Sequence, residues 1–558
     1  MIFLVLQEDK IGQTFLLPLD LNDMIPSDHI CYYVEKLVNC YDFSDIHEKF
    51  IGTAGKKAYS RRMLLRLILL SMIEGYKSSR DIEKQGRLNI PYIWICGGET
   101  PTYRTIINFK NEYRELITDM LAIILADAKK EGLVKLGVIA LDGTFMKANA
   151  SNKNTVTEEI LELAKKLIND SLIQDKEDDE KYGEEKVGDE VSPKLSLKKK
   201  IKKLVEASQE KAEEENKPID EINPSKLDLD FKFTKNEINQ IDRAYDEIDV
   251  IKKQRERSNN KKFEEKPIII SLTDPSSRFM KNKKGKTELS YNIQNFVDCE
   301  SGFILQSFIT QDPTDHYQLI PQIENLEQNP HINIENSKII ADTGYNTQKG
   351  IEYLYKNDFD AYIPNRKQAG ENKNKKFKKY AKANFQFDYE KNQYICPEGH
   401  ILHYKNSYGE NNKIKKVYYT NQCKNCPAKS ECCPKSHYRI ITHYSTKFQD
   451  LMSQKMEKEE SKEIYKKRAN SERPFAYMKN TLGWTTMLSK NEQNQTDLDL
   501  ITLAHNIKLT FNHKLKQNKT TTNKNTLKTK MKKQFSTQIS KIKMKNLFLS
   551  TINIHKIF

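Results

Sequence analysis

The sequence has no apolar run that approaches the length of a membrane-spanning helix. Its opening apolar run, IFLVL, is only five residues long and is soon followed by acidic residues, so it is too short for a signal peptide. These two absences predict a soluble, cytoplasmic protein that does not enter a membrane.

Cysteine is also sparse in this chain. Nine cysteines, an odd number, are scattered over 558 residues, which argues against a disulfide framework. A hydrophobic fraction of 37% beside a charged fraction of 30% argues against one large core. We expect about three or four domains, with polar inserts between them.

Positive charge is present in excess. Lys and Arg number 92 against 77 Asp and Glu, a formal net charge of +15, which suits a polyanionic partner. The same excess is typical of a lysine-rich proteome, so charge alone does not assign a partner. Residues 516–558 hold eleven lysines and no acid. We expect a disordered tail attracted to phosphates, or else a terminus without a role.

The most specific pattern is the run YKKRANSERPFAYMK, which spaces Tyr465, Arg468, Glu472 and Lys479 as Y-x2-R-x3-E-x6-K. On an α-helix these four side chains fall within about 60° of one another. A carboxylate flanked by two cations and a phenol suits a divalent metal and the phosphates of a polyanion. The alternative is a solvated helix face with an i,i+4 Arg–Glu pair, and Pro474 would kink the helix.

Two aspartates follow short β-branched runs. Asp142 ends the apolar run of GVIALDGT, and Asp342 ends that of SKIIADTGY. Each run predicts a buried strand, and we expect each Asp just past the strand's carboxyl end, where open α/β sheets bind ligands. The alternatives for the second acid are Asp274, Asp298 and Asp315, although Asp298 also suits a turn and Asp315 a helix N-cap.

Three carboxylates, from Asp142, Asp342 and Glu472, suffice to hold a pair of Mg²⁺ (or Mn²⁺) ions about 3.5–4 Å apart. Such a pair clamps the attacking and leaving oxygens of an in-line phosphoryl displacement. The pattern therefore predicts metal-dependent chemistry on a nucleic-acid backbone.

The order of elements between the two aspartates predicts the fold. The runs IIISLTD, YNIQNFVD and FILQSFIT predict strands, and residues 316–326 predict a helix before the strand that ends at Asp342. Three strands, a helix and a fourth strand are the ribonuclease-H-like order. The predicted class is α/β, with a mixed sheet flanked by helices, two inserts and an all-helical N-terminal domain.

The chain resembles insertion-sequence transposases of the DDE type. The shared stretches include SSRDIEK, LDGTFMKANAS, TDPSSRFMKNKKG, IIADTGYNT and LAHNIKL, in the same order over about residues 10–515. The signature places the chain in the Y-R-E-K (IS-four-like) class, and the two inserts make it most similar to the IS-eleven-eighty-two group.

The resemblance implies a DNA transposase that binds transposon ends, hydrolyses the phosphodiester there and joins the freed 3′-hydroxyl to target DNA. It implies Asp142, Asp342 and Glu472 as the catalytic residues. Tyr465, Arg468 and Lys479 would contact DNA or position the end. A homodimer that bridges both transposon ends, associated with the nucleoid, is the expected assembly.

The predicted organisation has seven segments. These are a helical DNA-binding domain (1–130), the first catalytic strand (131–151), a charged helical or disordered insert (152–266), the continued catalytic core (267–365), a Lys-rich, Cys-bearing insert (366–450), the signature helix with the end of the core (451–515) and the basic tail (516–558).

Within the first domain, residues 61–71 predict an amphipathic helix with a basic start. Residues 78–84 and 102–115 predict two helices of a DNA-reading module, with Thr102 capping the second helix. That helix would present Arg104, Lys110 and Arg114 to DNA. An ordinary helical bundle with solvated basic residues is the alternative.

The second insert carries a cysteine cluster with the spacing C-x26-C-x2-C-x5-C. Four thiolates at this spacing can hold a structural zinc ion, and the candidates are Cys396, Cys423, Cys426 and Cys432. Cys433 is an alternative to Cys432, and His400 or His403 to one of the cysteines. Reduced, unliganded thiols in a surface insert also fit the pattern.

Two other functions remain open. Asp342-Thr343-Gly344 is also the tripeptide of aspartic proteases, but those enzymes need a second matching aspartate, and the chain has one DTG only. A DNA-binding transposase relic that has lost catalysis is the other.

Overall fold

The computed structural model describes residues 20–48, 58–182, 195–222, 227, 229–258, 266–282, 284–366, 368–369, 379–410, 413–443, 446–491 and 493–517. These residues form two compact units. The first unit comprises the described residues up to Val134 and those from Leu503 onward, and the second is Lys135–Thr502. Half of the acidic stretch of the first insert (residues 183–190) and nearly all of the predicted basic tail lie outside the described residues.

The first unit is helical. Its helices are Ile30–Asn39, Ser44–Glu48, Arg61–Glu74, Ser79–Leu88, Ile90–Ile95, Tyr103–Glu112, Arg114–Lys130 and the part of helix 493–517 that follows Thr502.

The helix Arg61–Glu74 forms the centre of this unit. The Ser60 side chain accepts a hydrogen bond from the Met63 amide at its start, and Gly75 ends it in the left-handed conformation at φ 87°. Every residue from Met63 to Ile73 except Arg66 is buried. The prediction of an amphipathic helix was wrong, because this segment carries large apolar side chains on all its faces.

The predicted pair of DNA-reading helices is interrupted in the structure. The helices Ser79–Leu88 and Tyr103–Glu112 are separated by a third helix, Ile90–Ile95. Thr102 caps the helix Tyr103–Glu112, which confirms that detail. The helix then ends at Tyr113, so Arg114 opens the next helix and does not lie on the predicted one.

The second unit contains thirteen strands among its described residues. They are β1 (Val138–Lys147), β2 (Thr155–Thr157), β3 (Ile269–Ser271), β4 (Arg278–Lys281), β5 (Thr287–Asp298), β6 (Ile304–Thr310), β7 (Lys338–Ala341), β8 (Ala361–Tyr362), β9 (Gln386–Asp388), β10 (Gln393–Ile395), β11 (Ile401–Glu410), β12 (Lys413–Tyr419) and β13 (Ile440–His443).

The main sheet has the order β4-β5-β1-β7-β8, and β6 pairs with β5. β5 runs antiparallel to β1, whereas β7 runs parallel to it and β8 parallel to β7. The helices Leu319–Glu327 and Gln348–Lys356 connect β6 to β7 and β7 to β8. This is a mixed α/β architecture.

The parallel register brings the two predicted aspartates together. The ladder between β1 and β7 ends at the pair Leu141 and Ala341, so Asp142 and Asp342 are the next residue on each segment. Asp342 lies just past its strand, as predicted. Asp142 does not, because its strand continues to Lys147 through antiparallel pairing with β5.

The run IIISLTD does not join the main sheet. Its strand β3 pairs with β2 in a separate two-stranded sheet. The helices Glu158–Tyr182, Leu197–Glu215 and Lys235–Ser258 lie between these strands in the chain and share a core with them, in which Leu161, Leu204 and Ile248 are buried. The first insert therefore has its own hydrophobic core.

The second insert is an antiparallel sheet in the order β13-β12-β11-β10-β9. Phe385, Tyr394, Leu402, Tyr418 and Ile441 form its buried cluster. After it come the helices Lys447–Glu457 and Glu459–Lys466, which lead into the signature segment, residues 465–479. No helix in the described part of the chain is both long and apolar enough to span a bilayer.

Candidate active site

The three predicted acids surround one guanidinium group. Arg468 Nη2 lies 3.3 Å from Asp142 Oδ1 and 3.7 Å from Asp342 Oδ2, and Arg468 Nη1 lies 3.8 Å from Glu472 Oε1. Two carboxylates that lie 200 residues apart in the chain, and a third that lies a further 130 residues on, thus converge on a single side chain. Asp142, Asp342 and Glu472 together form the carboxylate cluster.

Solvent exposure of the side chains increases across the carboxylate cluster. The side chain of Asp142 is 10% exposed, that of Asp342 is 40% exposed and that of Glu472 is 62% exposed. The inner end is held by hydrogen bonds and the outer end faces solvent. A polymer can therefore approach the cluster from the side of Glu472.

Each aspartate is oriented by local hydrogen bonds. Asp142 Oδ2 lies 3.1 Å from the hydroxyl of Ser471, and Asp142 Oδ1 accepts a hydrogen bond from the Gly143 amide. Asp342 Oδ1 accepts a hydrogen bond from the Gly344 amide at 2.6 Å, which caps the short turn after β7. Ser471 was not predicted, although it precedes Glu472 directly.

Burial and like charge oppose the ionisation of Asp142. Burial raises the pKa of its carboxyl group, and the charge of Asp342 adds to this, while the guanidinium of Arg468 partly opposes both. Burial alone would lower the pKa of Arg468, but the charges of Asp142, Tyr465 and Asp342 outweigh it and the pKa is raised. Arg468 therefore stays charged and offsets the repulsion among the acids.

The signature segment is not one regular α-helix, so that prediction was wrong. The α-helix Glu459–Lys466 gives way to a 3₁₀ turn, Lys467–Ser471, then an α-helical turn, Glu472–Ala476, and a π-helical turn, Tyr477–Thr481. Pro474 has no amide N–H to donate, so it interrupts the helical hydrogen-bond ladder. The tighter 3₁₀ turn and the wider π-helical turn on either side accommodate this interruption.

The four signature side chains have different surroundings. Burial raises the pKa of Tyr465 to about 12, with Arg468 acting against it. Lys479 Nζ donates to Thr144 Oγ1 at 2.7 Å and to the Phe145 carbonyl at 2.9 Å. Lys479 thus ties the end of the signature segment to β1, beside Asp142.

Asp315 lies beside the cluster but is not a helix N-cap as predicted. Its Oδ1 accepts hydrogen bonds from Asn292 Nδ2 at 2.9 Å and Gln294 Nε2 at 2.7 Å. These two amides occupy alternate positions of β5 and are fully buried. Amide side chains at alternate positions of a predicted strand are the sequence signal that could have indicated them.

The other two alternatives for the second acid have structural partners. Asp298 accepts hydrogen bonds from the amides of Leu136 and Ser301, at 3.0 and 2.9 Å, and so closes the turn between β5 and β6. Asp274 is fully buried and accepts a hydrogen bond from the Tyr291 hydroxyl at 2.6 Å. Both carboxylates are engaged in holding the fold.

The three predicted DNA-reading side chains of the first unit are not equivalent. Arg104 is exposed and Arg114 is half-buried, whereas Lys110 is buried. Trp484, which follows the signature segment, is also buried and so serves as a core residue. Among the three predicted DNA-reading side chains, Lys110 is not available to a ligand in this conformation because it is buried.

The cysteines of the second insert line one cavity together with His400, and they are Cys396, Cys423, Cys426, Cys432 and Cys433. The amide of His400 donates to Cys396 Sγ at 3.3 Å, and the amide of Arg439 donates to Cys423 Sγ at 3.4 Å. Burial raises the pKa of Cys432 to about 11. His403 is exposed on β11.

No group of three or more His, Cys, Asp or Glu side chains is arranged to hold a metal ion within the described residues. In the carboxylate cluster, the guanidinium of Arg468 takes the central place between the acids. The donor set itself, three carboxylates open to solvent at one end, fits the oxygen preference of Mg²⁺.

Comparison with known families adds an independent observation. Residues 19–112 match the Transposase domain (DUF772), and residues 395–510 match the Transposase DDE domain. The matches support an insertion-sequence DDE transposase. No curated protein and no solved structure matches the chain.

The transposase matches differ in what they cover. The DDE match contains Glu472, the signature segment and the cysteine cluster, whereas Asp142 and Asp342 lie between the two matched segments. A DDE transposase domain implies polynucleotidyl transferase or nuclease activity, with DNA as the partner, and such domains typically use divalent metal ions.

Proposed function

We propose that this protein is a DNA transposase that binds the ends of an insertion sequence, hydrolyses the phosphodiester there and joins the 3′-hydroxyl to target DNA. The observation that carries the proposal is the convergence of Asp142, Asp342 and Glu472 on Arg468. The signature spacing and the two inserts favour the Y-R-E-K class and, within it, the IS-eleven-eighty-two group.

The main sheet supports a ribonuclease-H-like core as the scaffold of this reaction. The central strand β1 has an antiparallel neighbour, β5, on one side and a parallel neighbour, β7, on the other. This order sets Asp142 and Asp342 at the carboxyl end of the parallel ladder, where such sheets bind ligands. The signature segment then supplies Glu472 from outside the sheet.

The residues divide the work of the reaction among them. Asp142, Asp342 and Glu472 would hold two Mg²⁺ or Mn²⁺ ions, which supply the charge that activates water and stabilises the leaving oxygen. Arg468 balances the acids' charge and can turn towards a DNA phosphate when cations take its place. Tyr465 stays protonated at neutral pH, so it can donate a hydrogen bond to a phosphate oxygen.

The decisive test replaces Asp142 by Asn. We expect loss of Mg²⁺-dependent nicking of a duplex that carries the element's terminal repeat, because one carboxylate of the cluster becomes neutral. Binding of that duplex in a gel-shift assay should remain within about twofold of wild type. Glu352→Gln, on the helix Gln348–Lys356, is the control and should cut normally. Normal nicking by the Asp142→Asn protein would refute the proposal.

The same experiment separates the two other functions. If the protein were a transposase relic, both the wild type and the Asp142→Asn variant would bind the duplex and neither would nick it. An aspartic protease would cleave peptides without added metal. The proposed homodimer is tested by sedimentation of the protein alone and of the protein with DNA that carries both transposon ends. Only a dimer in the DNA complex supports the proposal.

We also propose a structural zinc ion in the second insert, held by Cys396, Cys423, Cys426 and Cys432. The four sulfurs line one cavity, and backbone amides donate to two of them, although the sulfurs would have to close around the ion. We expect about one zinc per chain by elemental analysis of protein purified without chelator. Cys426→Ser should lose it, and the exposed Cys40→Ser should not. Zinc-free wild-type protein would contradict this proposal.

A further inference from the structure

A fourth carboxylate, that of Asp315, is built into the wall of the active site. Asp315 begins a short turn after β6, and one of its oxygens, Oδ1, accepts hydrogen bonds from the side-chain amides of Asn292 and Gln294 on β5. The Gln294 side chain is also held through its oxygen, because Oε1 accepts a hydrogen bond from the buried Tyr345 hydroxyl. The amide of Gln294 is therefore oriented to donate towards position 315.

Asp315 also occupies the space beside the two glycines that follow the catalytic aspartates. A Cβ atom on Gly143 would lie 2.6 Å from Asp315 Oδ1, and a Cβ atom on Gly344 would lie 3.5 Å from Asp315 Cβ. The first distance is shorter than any ordinary contact, so position 143 must lack a side chain while Asp315 is in place.

The turn Asp315–Tyr317 also contacts the segment that follows β7. His316 Nδ1 lies 2.7 Å from the Gly344 carbonyl, and the Gly344 amide in turn donates to Asp342. One turn of the chain thus contacts the backbone next to Asp142 and next to Asp342.

The charge of Asp315 acts on the same surroundings as the charges of the carboxylate cluster. The pKa of Tyr345 is raised well above its ordinary value, first by burial and then by the charges of Asp315, Asp142 and Asp342 together. A further negative charge beside the carboxylate cluster strengthens the attraction of the site for a cation. A neutral residue would serve the hydrogen bonds equally well, so the charge itself calls for a role.

We propose that Asp315 is a positioning residue of the active site, which fixes the backbone that carries Asp142 and Asp342 and adds a fourth negative charge that increases affinity for divalent cations. The inference rests on the proposed function.

The test is the affinity of the full chain for Mn²⁺, measured by titration calorimetry without DNA. Asp315→Asn is the informative variant, because a single oxygen accepts both amides and the asparagine oxygen can keep both bonds. We expect roughly tenfold weaker Mn²⁺ binding, as for other residues that support metal ligands. The unfolding temperature in the presence of chelator should be unchanged.

Asp312→Asn is the matched control from the same loop. Asp312 is buried, lies 2.6 Å from Gln318 Nε2 and pairs with Arg257 at 2.5 Å. This variant should lower the unfolding temperature and leave Mn²⁺ affinity unchanged.

The outcomes separate the inference from the proposed function. Wild-type Mn²⁺ affinity in Asp315→Asn, or a fall in its unfolding temperature as large as that of Asp312→Asn, overturns the role of Asp315 alone. Wild-type protein whose Mn²⁺ binding is absent, or unchanged by Asp142→Asn, overturns the proposed function and the inference with it.

Discussion

At the scale of single residues, the site is organised around Arg468. Its guanidinium contacts all three acids, and its Nε is buried without a hydrogen-bond partner among the described residues. A buried donor left in this way costs free energy, which is typical of a functional position. Within the cluster, Arg468 is the cation that offsets the charge of the three acids.

Ser471 offers a test at this scale. Its hydroxyl is fully buried and lies 3.1 Å from Asp142 Oδ2, so Ser471→Ala removes one support of that carboxylate. We expect a roughly tenfold slower nicking rate at saturating Mg²⁺, with little change in DNA binding. Ser453→Ala is the control, since Ser453 is a buried serine that instead accepts from Asn365. Equal effects of the two substitutions would contradict the assignment.

Part of the site was predictable residue by residue. Asp142 and Asp342 stand out because short β-branched runs precede them, and Glu472 because of the signature spacing. Arg468 at the centre of the acids and the pairing of Asp315 with Asn292 were not predictable, since both depend on which residues face each other across strands and segments distant in sequence. The catalytic roles themselves stay predictions.

At the scale of elements, the signature segment passes in succession through α-helical, 3₁₀, α-helical and π-helical turns. The changes of winding bring Arg468 and Ser471 towards Asp142 and carry Lys479 back to β1. Helical periodicity placed all four signature residues on one face, but it did not show that Lys479 faces a strand while Glu472 faces solvent. The hydrogen bonds of Lys479 to β1 and the missing amide donor of Pro474 both accompany this change of winding.

Lys479→Met tests whether this residue anchors the segment. If Lys479 serves mainly to hold the segment against β1, the substitution should lower the nicking rate and the unfolding temperature. The salt dependence of DNA binding should not change. A lysine that contacts a phosphate would instead reduce the slope of log affinity against log salt by about one. Such a reduction, without loss of stability, would contradict the anchoring role.

At the scale of the whole molecule, charge is distributed unevenly along the chain. The structure describes the chain to residue 517, and the residues beyond it carry ten lysines and no acid. The helical order of the first unit and the mixed sheet of the second could be anticipated from hydrophobic patterns. The separate pairing of β2 with β3 could not, because 111 residues of insert lie between these strands.

Removal of residues 518–558 tests the role predicted for the basic tail. We expect weaker binding to DNA of any sequence, and a shallower dependence of affinity on salt, by about 0.9 for each phosphate that the tail neutralises. Mg²⁺-dependent nicking at low salt should be preserved, because the carboxylate cluster is untouched. An unchanged salt slope in the shortened protein would show that the tail does not bind phosphates.

The two junctions of the first insert lie next to each other in the structure. Thr155 pairs with Ser271, and the Leu272 amide donates to the Asn154 carbonyl at 3.1 Å, so both junctions lie side by side. A stretch bounded in this way can be gained, lengthened or removed as a cassette without shifting the register of β1. A variant that lacks the residues between β2 and β3 is therefore expected to keep Asp142 and Asp342 side by side.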